Sequence, residues 1–290
     1  EERVSCCDLS SPTESILALD KKAKELKVCY VSGMGATPGV TNLLAKHGVD
    51  QLDEADEIHV SFAAMRPFAL SPALTDTILR EFDPENSLRT YYKDGVFYPV
   101  PPFTGERLID FPHPIGPMKV YFVPHGETRS FPPNLHVKRV FVRGTFTPKD
   151  MRLIRSLIEY GFFDTKPIKI NGTEISPKDL IIRALLQMPE ATIKEDLFGY
   201  GLNVEVIGKK GNRSIKRTYW TTHPPMSEWD VPYAYSNNVG FPLGICAQLI
   251  AEGKVGYGVN CPEALVEPDL FFAELAKRDI IVHYKEESLS

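Results

Sequence analysis

The sequence lacks several features that would place it in a common protein class. No run of about 18 apolar residues occurs, so a membrane-spanning helix is not expected. Lysine and arginine are scattered along a chain with a net charge of -5, which disfavours nucleic acid as a partner. The first residues have no signal-peptide character. We therefore predict a cytoplasmic protein with neither a membrane nor a nucleic-acid partner.

Motifs of metal sites and of two large enzyme classes are also missing. The five cysteines show no C-x-x-C spacing, and no two of the seven histidines recur at the spacing of a helical ligand pair. We therefore expect no bound metal ion. A Gly-x-Ser-x-Gly elbow and a Walker loop are both absent, so serine hydrolases and nucleotide triphosphatases have no sequence support.

The composition that is present describes a globular chain. Of its 290 residues, 43% are hydrophobic and 24% are charged, which suffices for a substantial buried core. Single cores stop growing at about 250 to 300 residues, so two lobes are expected.

A strand, a glycine loop, a helix and a second strand follow one another near the start. The apolar run Val28-Cys-Tyr-Val-Ser leads into the loop Gly33-Met-Gly-Ala-Thr-Pro-Gly-Val-Thr-Asn42, and a helical stretch then ends at His47-Gly48. The segment at residues 57–62 is the next strand. This order is typical of a doubly wound α/β sheet, and a helix is predicted before it at residues 13–26.

The middle of the chain has alternating strand patterns with hairpin signals between them. These signals are Asp94-Gly95, Asn171-Gly172 and Lys210-Gly211-Asn212. Helices are predicted at residues 71–81, after Thr147-Pro148, and at residues 177–187, 242–251 and 268–277. The alternation indicates a mixed sheet with one covered and one wetter face. The predicted class is thus α/β, with part of a parallel sheet and a larger α+β unit.

The glycine loop has two interpretations. Gly33 and Gly35 stand where a phosphate-binding turn would stand, but the fingerprint requires its third glycine at the position of Pro38, and Gly39 comes one residue late. No acidic residue follows the next strand. The loop is either a tight strand-to-helix turn, or a loop at the carboxyl edge of a parallel sheet, where substrates and cofactors bind.

Several short motifs resemble the saccharopine dehydrogenase-like family, which includes saccharopine reductase, carboxynorspermidine dehydrogenase and lysine 6-dehydrogenase relatives. They occur in the family's order along nearly the whole chain. The motifs are Asp8-Leu-Ser, the helix around Ala23-Lys, Gly33 to Asn42, Asp94-Gly95, His125-Gly-Glu-Thr, Gly240-Phe-Pro-Leu-Gly-Ile and Val259-Asn-Cys-Pro-Glu263.

The resemblance implies a domain order. Residues 1–55 would be the end of a Rossmann-like NAD(P)-binding domain, residues 56–239 a substrate-binding and dimerisation domain, and residues 240–290 the return to the first domain. The opening strand of that Rossmann domain, with its G-x-G-x-x-G fingerprint, does not occur in this sequence. A homodimer is a further implication of the resemblance.

The resemblance also implies a reaction, which is NAD- or NADP-dependent hydride transfer at a C–N bond of a small amino-acid-derived substrate. The candidate cofactor-binding residues are Gly33, Gly35, Pro38, Gly39 and Asn42.

Four residues are candidates for the chemistry itself. His125 is the candidate acid or base, because imidazole titrates near neutral pH, and Glu127 is close enough in sequence to orient it. Arg143 and Arg66 each follow a strand and are candidate anchors for a substrate carboxylate. Ordinary loop hydrogen bonds for His125 and a surface ion pair for Arg143 are the alternatives.

Two functions from different classes therefore remain. The first is an amine dehydrogenase, or the larger part of one. The second is a non-catalytic binding or dimerisation module with the same fold, which the missing fingerprint favours for this chain alone.

Overall fold

The computed structural model describes residues 3–66, 71–187, 199–225, 228 and 234–289. Its helices are α1 (Glu14–Leu17), α2 (Asp20–Leu26), α3 (Val40–Asp50), α4 (Pro72–Phe82), α5 (Glu127–Leu135), α6 (Pro148–Glu159), α7 (Pro177–Gln187), α8 (Ala234–Ala251), α9 (Pro262–Leu265) and α10 (Pro268–Ala276). Its strands are β1 (Cys6–Cys7), β2 (Cys29–Val31), β3 (Glu54–Met65), β4 (Thr90–Lys93), β5 (Val96–Pro99), β6 (Arg107–Phe111), β7 (Gly116–Phe122), β8 (Arg139–Thr145), β9 (Ile168–Ile170), β10 (Thr173–Ile175), β11 (Gly199–Lys210), β12 (Arg213–Thr222), β13 (Gly258–Asn260) and β14 (Ile281–Leu289).

The smaller of the two main sheets is parallel. Its order is β1-β2-β13, and its third strand comes from near the carboxyl end of the chain. All three strands end at the same edge, where Asp8, Ser32 and Cys261 follow them. Loops at the carboxyl edge of such a sheet are the usual place for a ligand in open α/β folds.

The larger sheet is mixed. Nine strands of the described ranges form it in the order β14-β12-β11-β3-β8-β4-β5, with β7 pairing to both β8 and β6. Only β3 and β8 pair in parallel among them. The three predicted hairpin signals are confirmed, since they join β4 to β5, β9 to β10 and β11 to β12.

Alternation along the central strands gives the larger sheet two distinct sides. Val60 and Phe62 face α3, α4 and α5 in the main core, which we call the helix side. Ser61 and Ala63 face the other way, where Ala63 packs against the β6–β7 hairpin, and we call this the hairpin side. A side chain on one side cannot reach a ligand on the other without passing through the sheet.

Two helix predictions need correction, and one helix was not predicted. The segment at residues 13–26 forms two helices, because Leu17 and Leu19 of its apolar stripe face solvent and give it no core to pack on. No sequence signal predicts α5, since Pro132 and Pro133 lack the N–H of a helix interior. The helix predicted at residues 242–251 begins earlier, at the start of α8. None of the described helices is long and apolar enough to span a bilayer.

Replacing Gly144 by alanine is expected to destabilise the protein by about 1–3 kcal/mol. A Cβ at Gly144 would overlap the ring of Phe62, which is 2% exposed and has no room to move. Gly244→Ala is the matched control, since nothing lies within 4 Å of that added Cβ and the residue is in α8. Urea denaturation measures both variants, and a Gly144→Ala midpoint at or above that of the unaltered protein contradicts the packing described.

Candidate active site

Glu127, the first residue of α5, is fully buried beneath the glycine loop. Thr37 Oγ1 and Thr41 Oγ1 donate hydrogen bonds to its Oε1 at 2.7 and 2.8 Å. Thr37 belongs to the loop and Thr41 to the first turn of α3. Hydrogen bonds to a charged acceptor are about twice as strong as neutral ones, so a single carboxylate oxygen holds the loop, α3 and α5 together.

His125 lies two residues before α5, between two carboxylates. Its Nε2 is 3.4 Å from Glu81 Oε1, and its Nδ1 is 3.3 Å from Thr37 Oγ1 and 3.9 Å from Glu127 Oε2. The ring stacks on Phe62 with centroids 4.9 Å apart. Burial alone would lower the pKa of His125, but the Glu81 carboxylate, with help from Glu127, raises it above its ordinary value. The imidazole therefore favours its protonated form and can act as an acid.

A second buried carboxylate fixes the other end of the loop. Glu263 of α9 is 2% exposed, and its two oxygens accept hydrogen bonds from Asn42 Nδ2 at 2.7 Å and Asn134 Nδ2 at 2.9 Å. Burial raises the pKa of Glu263. Asn42 also accepts the backbone N–H of Gly39 at 2.8 Å. The amide of Asn42 thus joins the loop to α9.

The backbone N–H groups of the glycine loop point into the protein. Those of Gly33 and Met34 donate to Asp8 O at 3.1 and 2.8 Å, and that of Gly35 donates to Pro38 O at 2.9 Å. Gly33 and Gly35 are buried, and Pro38 is half-buried. These N–H groups therefore stabilise the loop through hydrogen bonds to the backbone and do not point into the cavity. The cofactor contacts predicted for the loop stay a prediction.

Gly39 shows why the loop needs a glycine where it turns into α3. Its φ of 129° is a conformation that other residues rarely adopt, and an added Cβ would overlap the backbone of Gly35. Pro38 and Gly39 thus form a tight strand-to-helix turn, which was the first interpretation of the glycine loop. The turn also lies at the carboxyl edge of the parallel sheet, which is the position that the second interpretation required.

A cavity of about 480 Å³ opens at that edge. Gly126, the residue between His125 and Glu127, forms part of its wall. Other lining residues include Ser11, Arg129, Asn134, Asn260 and Cys261. Loops after β1 and β13 and one face of α5 therefore meet here, and the volume is within the roughly 300–1,000 Å³ range of small-molecule sites.

Arg143 does not share this cavity. It pairs in register with Ser61 on the hairpin side of the sheet, whereas His125 stacks on Phe62 on the helix side. Its Nε donates to Gly105 O at 2.7 Å, and burial lowers its pKa to about 10. The expected surface ion pair is wrong, because only 6% of Arg143 is exposed. Its role as a substrate anchor stays a prediction.

Arg66 directly follows β3 and is 4% exposed. Its guanidinium carbon lies 5.6 Å from the centroid of the Phe146 ring. Its charge also lowers the pKa of Asp150, although burial raises that pKa overall. These contacts explain the position of Arg66 within the fold, and its role towards a substrate stays a prediction.

The model of the saccharopine dehydrogenase C-terminal domain family matches residues 35–281. The chain belongs to this family. A carboxyaminopropylagmatine dehydrogenase from Synechocystis sp. is 24% identical over 283 aligned residues, which cover 92% of this chain and 67% of that protein. The resemblance deduced from the motifs is therefore confirmed, and both names are those of dehydrogenases, which are oxidoreductases.

The fold has a solved counterpart. The apo histidine-tagged saccharopine dehydrogenase (L-Glu forming) from Saccharomyces cerevisiae matches with a TM-score of 0.63 at 14% identity, over 99% of this chain and 80% of that one. At that identity the likeness concerns the fold alone, and it confirms the predicted α/β class.

Replacing Glu81 by glutamine is expected to lower the pKa of His125, because burial persists while the neighbouring carboxylate is lost. Glu85→Gln is the matched control, since Glu85 is exposed just beyond the same helix. Titration of the ring resonances by NMR measures the pKa directly. An unchanged or higher value in Glu81→Gln contradicts the pairing.

The same shift has a consequence for stability. A raised pKa in the folded state stabilises the protein fully below the ordinary histidine pKa of about 6.5, and this contribution is lost as the pH rises through the folded pKa. As the pH rises from about 6.5 through the folded pKa, the free energy of unfolding of the unaltered protein should fall, and that of Glu81→Gln should fall less. Urea denaturation at several pH values measures both.

Proposed function

We propose that the chain provides the substrate site, and the nicotinamide end of the cofactor site, of an oxidoreductase. The reaction is hydride transfer between NAD or NADP and a carbon that bears nitrogen in a small amino-acid-derived substrate. One observation carries the proposal. The cavity at the carboxyl edge of the parallel sheet has Gly126 in its wall, and in the chain Gly126 lies between the half-buried His125 and the fully buried Glu127.

The cavity residues fit one end of a dinucleotide. Pro12, Pro133 and Val259 provide apolar walls, and Ser11, Asn134 and Asn260 provide hydroxyl and amide groups. A flat, polar-edged ring such as nicotinamide suits such a lining. The inward-pointing amides of Gly33, Met34 and Gly35 do not fit a pyrophosphate, so the rest of the cofactor requires other residues.

When bound, the cofactor would supply the hydride. The chain's own residues would then handle the proton and the orientation. His125 lies with Nε2 towards Glu81 and Nδ1 towards Thr37, and its raised pKa suits it to be the source of the proton that a substrate nitrogen would take up. Thr37 Oγ1, 3.3 Å from Nδ1, orients the ring, and it donates its own proton to Glu127, whose carboxylate adds negative charge 3.9 Å from Nδ1.

The test of this function is titration of the chain with NADH and with NADPH, followed by cofactor fluorescence. The same titration is made on the chain extended by any in-frame upstream strand with a G-x-G-x-x-G fingerprint. We expect binding by the extended protein, with a dissociation constant in the micromolar range, and weak or no binding by this chain. His125→Asn in the binding-competent protein should then slow reduction of the imine by NADH or NADPH by about 100-fold or more, with little change in cofactor affinity.

Binding of neither nucleotide by either protein contradicts the proposal and favours the alternative, a non-catalytic binding or dimerisation module. The homodimer, the cytoplasmic location and the absence of nucleic-acid and membrane partners also stay predictions.

A further inference from the structure

Arg129 is a cation in the cavity wall with no carboxylate partner among the described residues. It lies on α5, one turn beyond His125, and lines the cavity together with Phe97. Within the part of the chain that the structure describes, Arg129 forms no ion pair. Arg139 and Arg217, by contrast, contact Glu57 and Glu286 at 2.5 and 2.6 Å.

Phe97 holds this guanidinium in place. The guanidinium carbon of Arg129 lies 5.2 Å from the centroid of the Phe97 ring, within the range of a cation–π contact. Stacking covers one flat face of the group and leaves its N–H donors at the rim. A guanidinium fixed in this way has lost much of its freedom already, so it binds an anion at a smaller entropic cost.

The charges around Arg129 limit the kind of anion. Glu14 and Asp20 also line the cavity, so the wall carries two carboxylates and one guanidinium. Asp20 is engaged by Lys24 Nζ at 2.7 Å and by the N–H of Val259 at 2.8 Å. A multiply charged diphosphate would meet one guanidinium and the Glu14 carboxylate, so most of its charge would have no partner here. A group with one carboxylate and an adjacent ammonium matches both signs.

We propose that Arg129 binds the carboxylate of the substrate, with Phe97 as its support and Glu14 facing the substrate's ammonium group. The inference rests on the proposed function for the identity of the ligand as substrate. It also assigns the anchoring role to a residue of α5, on the same side of the sheet as His125, rather than to Arg143.

The test is calorimetric binding of three probes to the full chain, and it needs no catalysis. L-glutamate carries the amino-acid group, putrescine has amines without a carboxylate, and pyrophosphate represents the cofactor's phosphates. Arg129→Gln should weaken L-glutamate binding by about 10- to 100-fold, as expected for a charge-assisted pair, and Arg129→Lys should weaken it less. Phe97→Leu should weaken it by several-fold.

Arg155→Gln is the matched control. Arg155 is also exposed and also stacks on a ring, with its guanidinium carbon 4.1 Å from the Phe103 centroid, but it does not line the cavity. The Arg155→Gln variant should bind L-glutamate with the affinity of the unaltered chain. Circular dichroism establishes that each variant is folded, and Arg129→Lys keeps the charge in case Arg129→Gln does not fold.

Three results would overturn the inference. They are no binding of L-glutamate by the unaltered chain at millimolar concentration, an equal effect of Arg129→Gln and Arg155→Gln, and a loss in Arg129→Gln confined to pyrophosphate, which would assign Arg129 to a phosphate. Failure of the proposed function has a different signature. NADH and NADPH would then bind to neither protein, whereas binding of L-glutamate would still depend on Arg129.

Discussion

Two buried carboxylates, Glu127 and Glu263, hold the region around the cavity together. A charge removed from water is costly unless hydrogen bonds compensate it, so each carboxylate fixes the groups that donate to it. Glu127 holds Thr37 and Thr41, and Glu263 holds Asn42. The glycine loop and the first turn of α3 are thereby fixed from two directions, by α5 and by α9. The same hydrogen bonds position part of the cavity wall, because the lining residues Gly126 and Cys261 closely precede the two carboxylates in the chain.

The larger sheet decides which side chains can act together. His125 stacks on Phe62 on the helix side, and Glu81 reaches it from α4. Arg143 lies on the hairpin side among aromatic rings, with its guanidinium carbon 4.3 Å from the centroid of Phe122. The buried sheet therefore separates Arg143 from His125 and its neighbouring carboxylates. An arginine on α5 is better placed than Arg143 to bind a substrate in the cavity, because Arg129 and Gly126 both line that cavity.

Local signals in the sequence predicted local structure well. Thr147 caps α6 through a hydrogen bond to the N–H of Asp150, and Asp94-Gly95 makes a hairpin, because both depend only on neighbouring residues. The motifs also gave His125 and Glu127 as candidates, and the structure places them two residues apart beside the cavity wall. The sequence could not predict the contact of His125 with Glu81, or the side of the sheet that Arg143 occupies, because packing between distant segments determines both. The helix that carries Arg129 was not predicted, because two prolines inside α5 are unfavourable in a helix interior.

The most direct test of the central claim is the stability of Asn42→Ala. This change removes the donor to Glu263 and the acceptor of the Gly39 N–H, both buried, and should lower the free energy of unfolding by about 3–5 kcal/mol. Asn86→Ala is the matched control, because its amide also makes two hydrogen bonds but is open to solvent, and it should cost less than about 1.5 kcal/mol. Equal losses in the two variants, measured by urea denaturation, would contradict the claim that the buried carboxylates hold the site together.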